Sequence, residues 1–205
     1  MPRRDYDPAV LGREVIYPLL NSVVVPRPIA WVSTRSAAGV DNLAPHSFFT
    51  VSSVVPPVVQ FTSVGAKDSL RNATDSGEFV VAVCTEELAD KVNATGTDYP
   101  ADVSEFDACG LTREPARLVR AARVAESPVN LECRVVGTHD FGGGSVVVFG
   151  EVVWAAVDTA VLQDDRPEVR LLRPVSRLGA NEWGAVGEVT DRTRVPYARL
   201  LKEGA

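Results

Sequence analysis

A chain of 205 residues with 45% hydrophobic and 23% charged side chains can bury one sizeable core, and this predicts a single domain over residues 1–205. The formal net charge of -6 and pI near 5.0 exclude a general nucleic-acid binder, which needs a dense basic surface to displace counterions. Pro26, Arg27 and Pro28 interrupt the first long apolar run before it could span a membrane, and "MPRRDYDPAV" has no apolar stretch after its basic start, so a cytoplasmic protein is expected.

Residues 8–20 read as a short helix or an edge segment. From Val23 onward β signals dominate. "IAWVST" (29–34) is β-branched and aromatic and predicts a strand. "RSAAGV" (35–40) is a loop in which Gly39 can take the positive φ of a hairpin turn. A second strand is expected from Leu43 through "SFFTVSSV", and a third over "VVQFTSV" (58–64) after the double proline. "KDSLRNATDSG" (67–77) predicts a helix with cap-capable residues at its front and Gly77 at its close.

"EFVVAVC" is expected as a fourth strand, and Thr85 as the cap of a helix over "EELADKVNATG". Residues 95–128 show no clean period, yet they keep Tyr99, Phe106 and Leu111, so an ordered excursion over the barrel is expected. The arginines of "RLVRAAR" (117–123) read as solvated surface. "VNLECRVVGTHD" (129–140), "GGG" (142–144) and "SVVVFGEVVWAAVD" (145–158) predict a long hairpin with a bend or bulge at Gly150. A strand follows those three glycines where a nucleotide fingerprint requires a helix. Many short strands with few helices predict a closed antiparallel barrel.

Familiar catalytic groupings are missing. His46 and His139 are the two imidazoles, and no G-x-S-x-G elbow supports a hydrolase triad. Cys84, Cys109 and Cys133 lie too far apart in sequence for a zinc motif, and Cys84 and Cys133 fall in strand-like runs that suit core packing. The acid pairs Glu86-Glu87 and Asp164-Asp165 read as solvated faces. What stands out is a polar seam. Ser33 and Thr34 end a strand, while Lys67 and Ser69 open a helix. Hydroxyls, a cation and helix-terminal N–H groups are what a phosphate monoester requires. Between them lies "NLAPHSFF" (42–49), where Ala44 lets the main chain approach closely and Pro45 fixes its path. This stretch is either the edge of a slot for a planar ring or a plain strand-entry loop.

"RPIAWVSTRSAAGVDNLAPHSFFTVSSVVPPVVQFTS" followed by "KDSLRNATDSGEFVV" closely resembles the flavin reductase-like family of FMN-binding split barrels, in particular its flavoredoxin branch. The similarity runs from about Val15 to Val189 and takes in "ESPVNLECRVV", "VVVFGEVV" and "LRPVSRLGANEWGAVGEV". The resemblance implies a mostly β chain with a few helices, forming a six-stranded antiparallel Greek-key split barrel. It also implies a homodimer with FMN near the subunit interface. Electrons would pass from NADH or NADPH through FMN to free flavin, to a monooxygenase or to another acceptor protein. The alternative is a non-enzymatic FMN-binding electron carrier reduced by a protein partner.

Carried over by position, Ser33 and Thr34 would bond the FMN phosphate or ribityl chain. Asn42, Ala44, Pro45, His46, Ser47 and Phe48 would border the ring, largely through main-chain groups. Ser63, Lys67 and Ser69 would complete the phosphate side. No catalytic side chain is implied, because hydride transfer to a flavin needs no protein nucleophile. One departure concerns the hydride donor. Related two-component reductases carry Gly-Asp-His before the strand ending in Gly-x-Val, and here Gly144 and Ser145 hold the Asp-His positions. Tyr99 or Trp183 would wall the nicotinamide side.

Overall fold

The computed structural model describes residues 1–197. Seven strand segments form its main sheet: β1 (Ala30–Arg35), β2 (Asp41–His46), β3 (Phe49–Ser53), β4 (Val58–Val64), β5 (Glu78–Val83), β6 (Val129–Asp140) and β7 (Ser145–Val157). Their order is β2-β1-β5-β6-β7-β4-β3, with every neighbouring pair antiparallel. The expected second strand is therefore bent in two at Ser47 and Phe48. Its first half pairs with β1 and its second half with β4, at opposite ends of the order. Counted as one bent strand it closes six strands into the split barrel. Pro45, which cannot donate a ladder hydrogen bond, sits on this edge segment.

Side-chain alternation divides the buried residues between two cores. Val32 points inward with Phe61, Phe79, Val81, Cys133 and Val148. Trp31, one residue earlier, points outward with Leu43, Ala82, Val92, Phe106 and Leu111. Helix α1 (Arg13–Val23) settles the reading of residues 8–20 in favour of a helix. Helix α2 (Asp68–Ser76) places Ala73 and Leu70 in the inner core, and Gly77 ends it at φ 72° as expected. Cys84 and Cys133 are buried free thiols, and desolvation raises both above the usual thiol range.

The excursion is ordered. It carries helix α3 (Ala89–Ala94) at its approach, then α4 (Glu105–Ala108) and a short ladder of Arg113–Glu114 with Arg123–Val124. Phe106 and Leu111 are buried anchors and Tyr99 is half-buried. Two local expectations are corrected. Thr85 precedes a 3-10 turn at Glu86–Leu88 and makes no side-chain capping bond. "RLVRAAR" is not all solvated surface, because Val119, Ala121 and Arg123 are buried. Arg123 donates from Nε over 2.9 Å to Oε1 of the fully buried Glu132. Burial alone would raise the Glu132 carboxyl, but N–H donors from Arg117 and Leu118 and the Arg123 guanidinium hold it below the usual range. That partner comes from a strand nine residues on, so a charge run read alone misses it.

The β6–β7 hairpin forms with Gly142, Gly143 and Gly144 all at positive φ, and the ladder shifts register between Phe149 and Gly150. A methyl group on Gly150 would meet Phe79 Cε1 at 2.5 Å and Cys133 Cβ at 3.0 Å, so the bulge also lets β7 approach the inner core closely. A small sheet of Arg27–Pro28, Val175–Arg177 and Trp183–Ala185 flanks the barrel.

Candidate functional site

At the bend between β2 and β3 the strand leaves one neighbour for another, and a cleft of about 240 Å³ opens there. Asn42, Ala44, Pro45, His46, Ser47 and Phe48 form one wall. Lys67, Asp68 and Ser69, at the start of α2, form a second. Thr62 and Val64 of β4, the loop Thr95–Tyr99 after α3, Glu105 of α4 and Tyr17 of α1 complete it. The opening stretch of the seam and the helix start thus meet across one space. Asn42 Nδ2 donates to Ser69 Oγ over 3.1 Å and ties the two walls together.

Ser33, Thr34 and Ser63 do not line the cleft. Adjacent strand residues point to opposite faces, so Ser33 and Thr34 present their hydroxyls to different sides of β1. Thr34 Oγ1 accepts from Asn72 Nδ2 of α2 over 3.3 Å. Ser33 is fully buried and its hydroxyl has no partner among the described residues. Ser63 donates to the Gly65 carbonyl over 3.0 Å, and its neighbours Thr62 and Val64 take the cleft-facing positions. The strict two-residue period of "VVQFTSV" is the signal that could have found them, since Phe61 inward puts Ser63 inward as well.

Tyr99, expected as a wall, does line the cleft, but the residues from Thr95 to Asp98 carried no such signal. They reach the cleft because Thr95 is pinned under α3: its Oγ1 accepts from Trp31 Nε1 over 2.9 Å and donates to the Val92 carbonyl over 2.8 Å. Gly96 then lies against Pro45, whose Cγ would stand 3.4 Å from an added methyl group.

Electrostatics divide the cleft. His46 is 9% exposed, packs on Phe61 with ring centroids 4.8 Å apart, and leaves Nε2 without a partner among the described residues. Burial pulls its pKa down to about 4, against a backbone hydrogen bond at Thr62, so the imidazole is neutral near pH 7. Burial raises the Glu105 carboxyl, opposed by the Leu43 N–H that donates to Oε2 over 2.8 Å. Lys67 Nζ reaches Asp98 Oδ1 at 2.6 Å while 52% of its side chain stays exposed. Asp68 is paired with Arg71 one turn along α2.

This donor set suits FMN at both ends. The first turn of α2 has no side-chain cap, so its N–H groups, Lys67 and Ser69 are available to a phosphate. The orphaned Nε2 of His46 beside Pro45 and Phe48 offers a polar contact within an apolar wall for a flat ring. His139, in contrast, lies across the β6–β7 ladder opposite Val147, exposed and set edge-on to Phe141 with ring centroids 4.4 Å apart, and does not line the cleft.

The flavin reductase like domain matches residues 22–171. An uncharacterized protein of Halalkalibacterium halodurans is 40% identical over 193 residues, 89% of this chain and 92% of its own. The crystal structure of nitrilotriacetate monooxygenase component B from Bacillus cereus superimposes with a TM-score of 0.89 at 26% identity, covering 94% of this chain and all of that one. Pseudomonas fluorescens 2-nitrobenzoate 2-nitroreductase gives 0.87 at 28% identity, covering 95% and 97%. Flavoredoxin of Desulfovibrio vulgaris (Miyazaki F), at 23% identity and a TM-score of 0.77 over 82% of this chain and 91% of that one, shares the fold. With a bent strand that closes the barrel, a cleft at the bend and a family match over most of its length, the chain belongs to the flavin reductase-like family of split-barrel proteins.

Proposed function

We propose that this chain is a one-domain, FMN-dependent oxidoreductase that takes electrons from NADH or NADPH and passes them to free flavin or to another acceptor, such as a monooxygenase partner. The observation that carries this reading is the meeting of an uncapped helix start, bearing Lys67 and Ser69, with the neutral, unpartnered imidazole of His46 in one cleft. Bound FMN would supply the redox chemistry at its ring. Lys67, Ser69 and the α2 N–H groups would hold the phosphate, while Ala44, Pro45 and Phe48 would pack the ring and His46 would bond its polar edge. Ser33, Thr34 and Ser63 would then act behind the site, by fixing the strands that present it.

The cleft volume is below the roughly 300–1,000 Å³ of small-molecule pockets, so one chain encloses only part of such a ligand. Exposed apolar side chains on α1 and around β3, among them Leu20, Val23, Val51, Val54 and Val55, offer a face for a second copy. Both facts favour a homodimer that completes the site. No helix among the described residues is long and apolar enough to cross a membrane.

The test is anaerobic titration of FMN-loaded protein with NADH and with NADPH, read as bleaching of the visible flavin band. Bleaching by one of them within turnover time supports the reductase reading. Flavin that resists both but bleaches with dithionite would overturn it and leave an electron carrier reduced by a protein partner. The placement of His139 outside the cleft, with Ser145 at the position where the resemblance would often place a histidine, is the observation that favours that second reading.

A further inference from the structure

Arg27 and Arg177 are directly paired across the antiparallel ladder of the small sheet. Like charges at such positions repel at close range, which is an unfavourable arrangement unless something negative lies between or beside them. Arg27 is 7% exposed, and its guanidinium donates to three main-chain carbonyls: Asn21, Val24 and Leu178. Its Nε has no partner among the described residues. Arg177 donates from Nη2 to the Ala180 carbonyl over 2.8 Å. Neither cation joins any of the ion pairs among the described residues. A buried cation held by carbonyl dipoles and by the Phe48 ring face, 6.0 Å away, keeps most of its field when no carboxylate among the described residues pairs with it.

A second cleft, of about 270 Å³, lies against Arg177, with Arg27 behind it across the ladder. Arg177 and Trp183 line it together with Ile29 and Asn93, and the Arg177 guanidinium stands 5.2 Å from the centroid of the Trp183 ring. Pro45, Ser47 and Gly96 belong to both clefts, so the two share a wall at the bend. The space exceeds the roughly 150 Å³ that holds a benzene ring in an apolar protein cavity, and it falls short of what a dinucleotide needs.

We infer that this second cleft is a binding site for a small aromatic carboxylate, whose ring packs on Trp183 and Ile29 and whose charge meets Arg177 in the field of Arg27. Arg177 is the contacting group, because a guanidinium presents paired donors in the plane a carboxylate requires. Arg27 acts through the field and is fixed by its carbonyl partners. The site deepens the reductase reading by giving a substrate class to the space beside the flavin, and only that catalytic meaning rests on the flavin; the binding itself does not.

Calorimetric titration with benzoate, run on both FMN-free and FMN-loaded protein, tests it. Benzamide, which lacks the charge, and acetate, which lacks the ring, are each expected to bind at least about tenfold more weakly than benzoate. Arg177→Gln should weaken benzoate by a similar factor and leave FMN affinity unchanged, while Arg177→Lys should keep part of the benzoate affinity and shows that the strand survives substitution. Absent benzoate binding, a control that binds as well as benzoate, or an unaltered Arg177→Gln variant each overturns the site. Benzoate binding that persists where FMN fails to bind would sink the flavin reading alone.

Discussion

The neutral imidazole of His46 makes a measurable demand on stability. Its pKa falls from an ordinary 6.5 to about 4, chiefly through desolvation, with a smaller push from Lys67 and opposition from the backbone bond at Thr62. Between those two values the unfolded chain binds a proton that the folded chain does not. Stability therefore rises with pH across that window, and falls as pH drops from about 6.5 toward about 4. The full shift corresponds to about 3 kcal/mol, and the part expressed at about pH 5 relative to about pH 7.5 is about 2 kcal/mol. Replacing His46 with Gln removes the titration. Urea unfolding of wild type and His46→Gln at both pH values isolates the effect, because carboxylates common to the two proteins cancel in the difference. The wild type should lose about 2 kcal/mol more than the variant on acidification. Equal losses would refute a buried neutral histidine at the cleft wall.

Lys67→Ala should raise the Kd for FMN about tenfold, read by flavin fluorescence; the low end of about 1.5–3 kcal/mol for a charged contact applies because the side chain is half exposed. Asp98→Asn, which releases Lys67 from its pair, should tighten FMN slightly, and a Lys67→Ala variant with wild-type affinity would mean that the ammonium does not reach the phosphate. Gly150→Ala should cost about 1–3 kcal/mol in thermal or denaturant unfolding, because the new methyl group meets Phe79 and the Cys133 Cβ inside the barrel, and an unchanged midpoint would show that the bulge can relax away.

Most of the fold was legible because its signals are local. The β-branched and aromatic content of "IAWVST" and "VVQFTSV", the glycines of the β6–β7 turn and Gly77 at the end of α2 each act within a few residues. The resemblance implied the barrel and pointed to Asn42 and residues 44–48, which line the cleft, while Leu43 between them is buried in the outer core. What escaped notice depends on partners distant in sequence. Glu132 turns Arg123 from a surface charge into a buried one, and Trp31 holds Thr95 so that its loop faces the cleft. Ser33 and Ser63 stand apart from the cleft for a different reason. Their chemistry suits a phosphate, but the two-residue period of their strands turns them away from the cleft, and period outranks chemistry inside a ladder.

The break at "APHSFF" follows from barrel closure. A sheet closes on itself only if its first and last strands can bond, and here one segment of chain serves as both by bending between His46 and Phe49. At the bend the Phe48 carbonyl still accepts from the Thr62 N–H over 2.8 Å, but the side chains no longer alternate against a neighbouring strand. His46 falls onto Phe61, while Pro45 and Ser47 stand between the two clefts. A straight strand would have filled that seam with a ladder and left no room for a ligand on either side. The position of the binding spaces is thus a consequence of how this barrel closes, and a substitution that straightened the bend would remove both clefts at once.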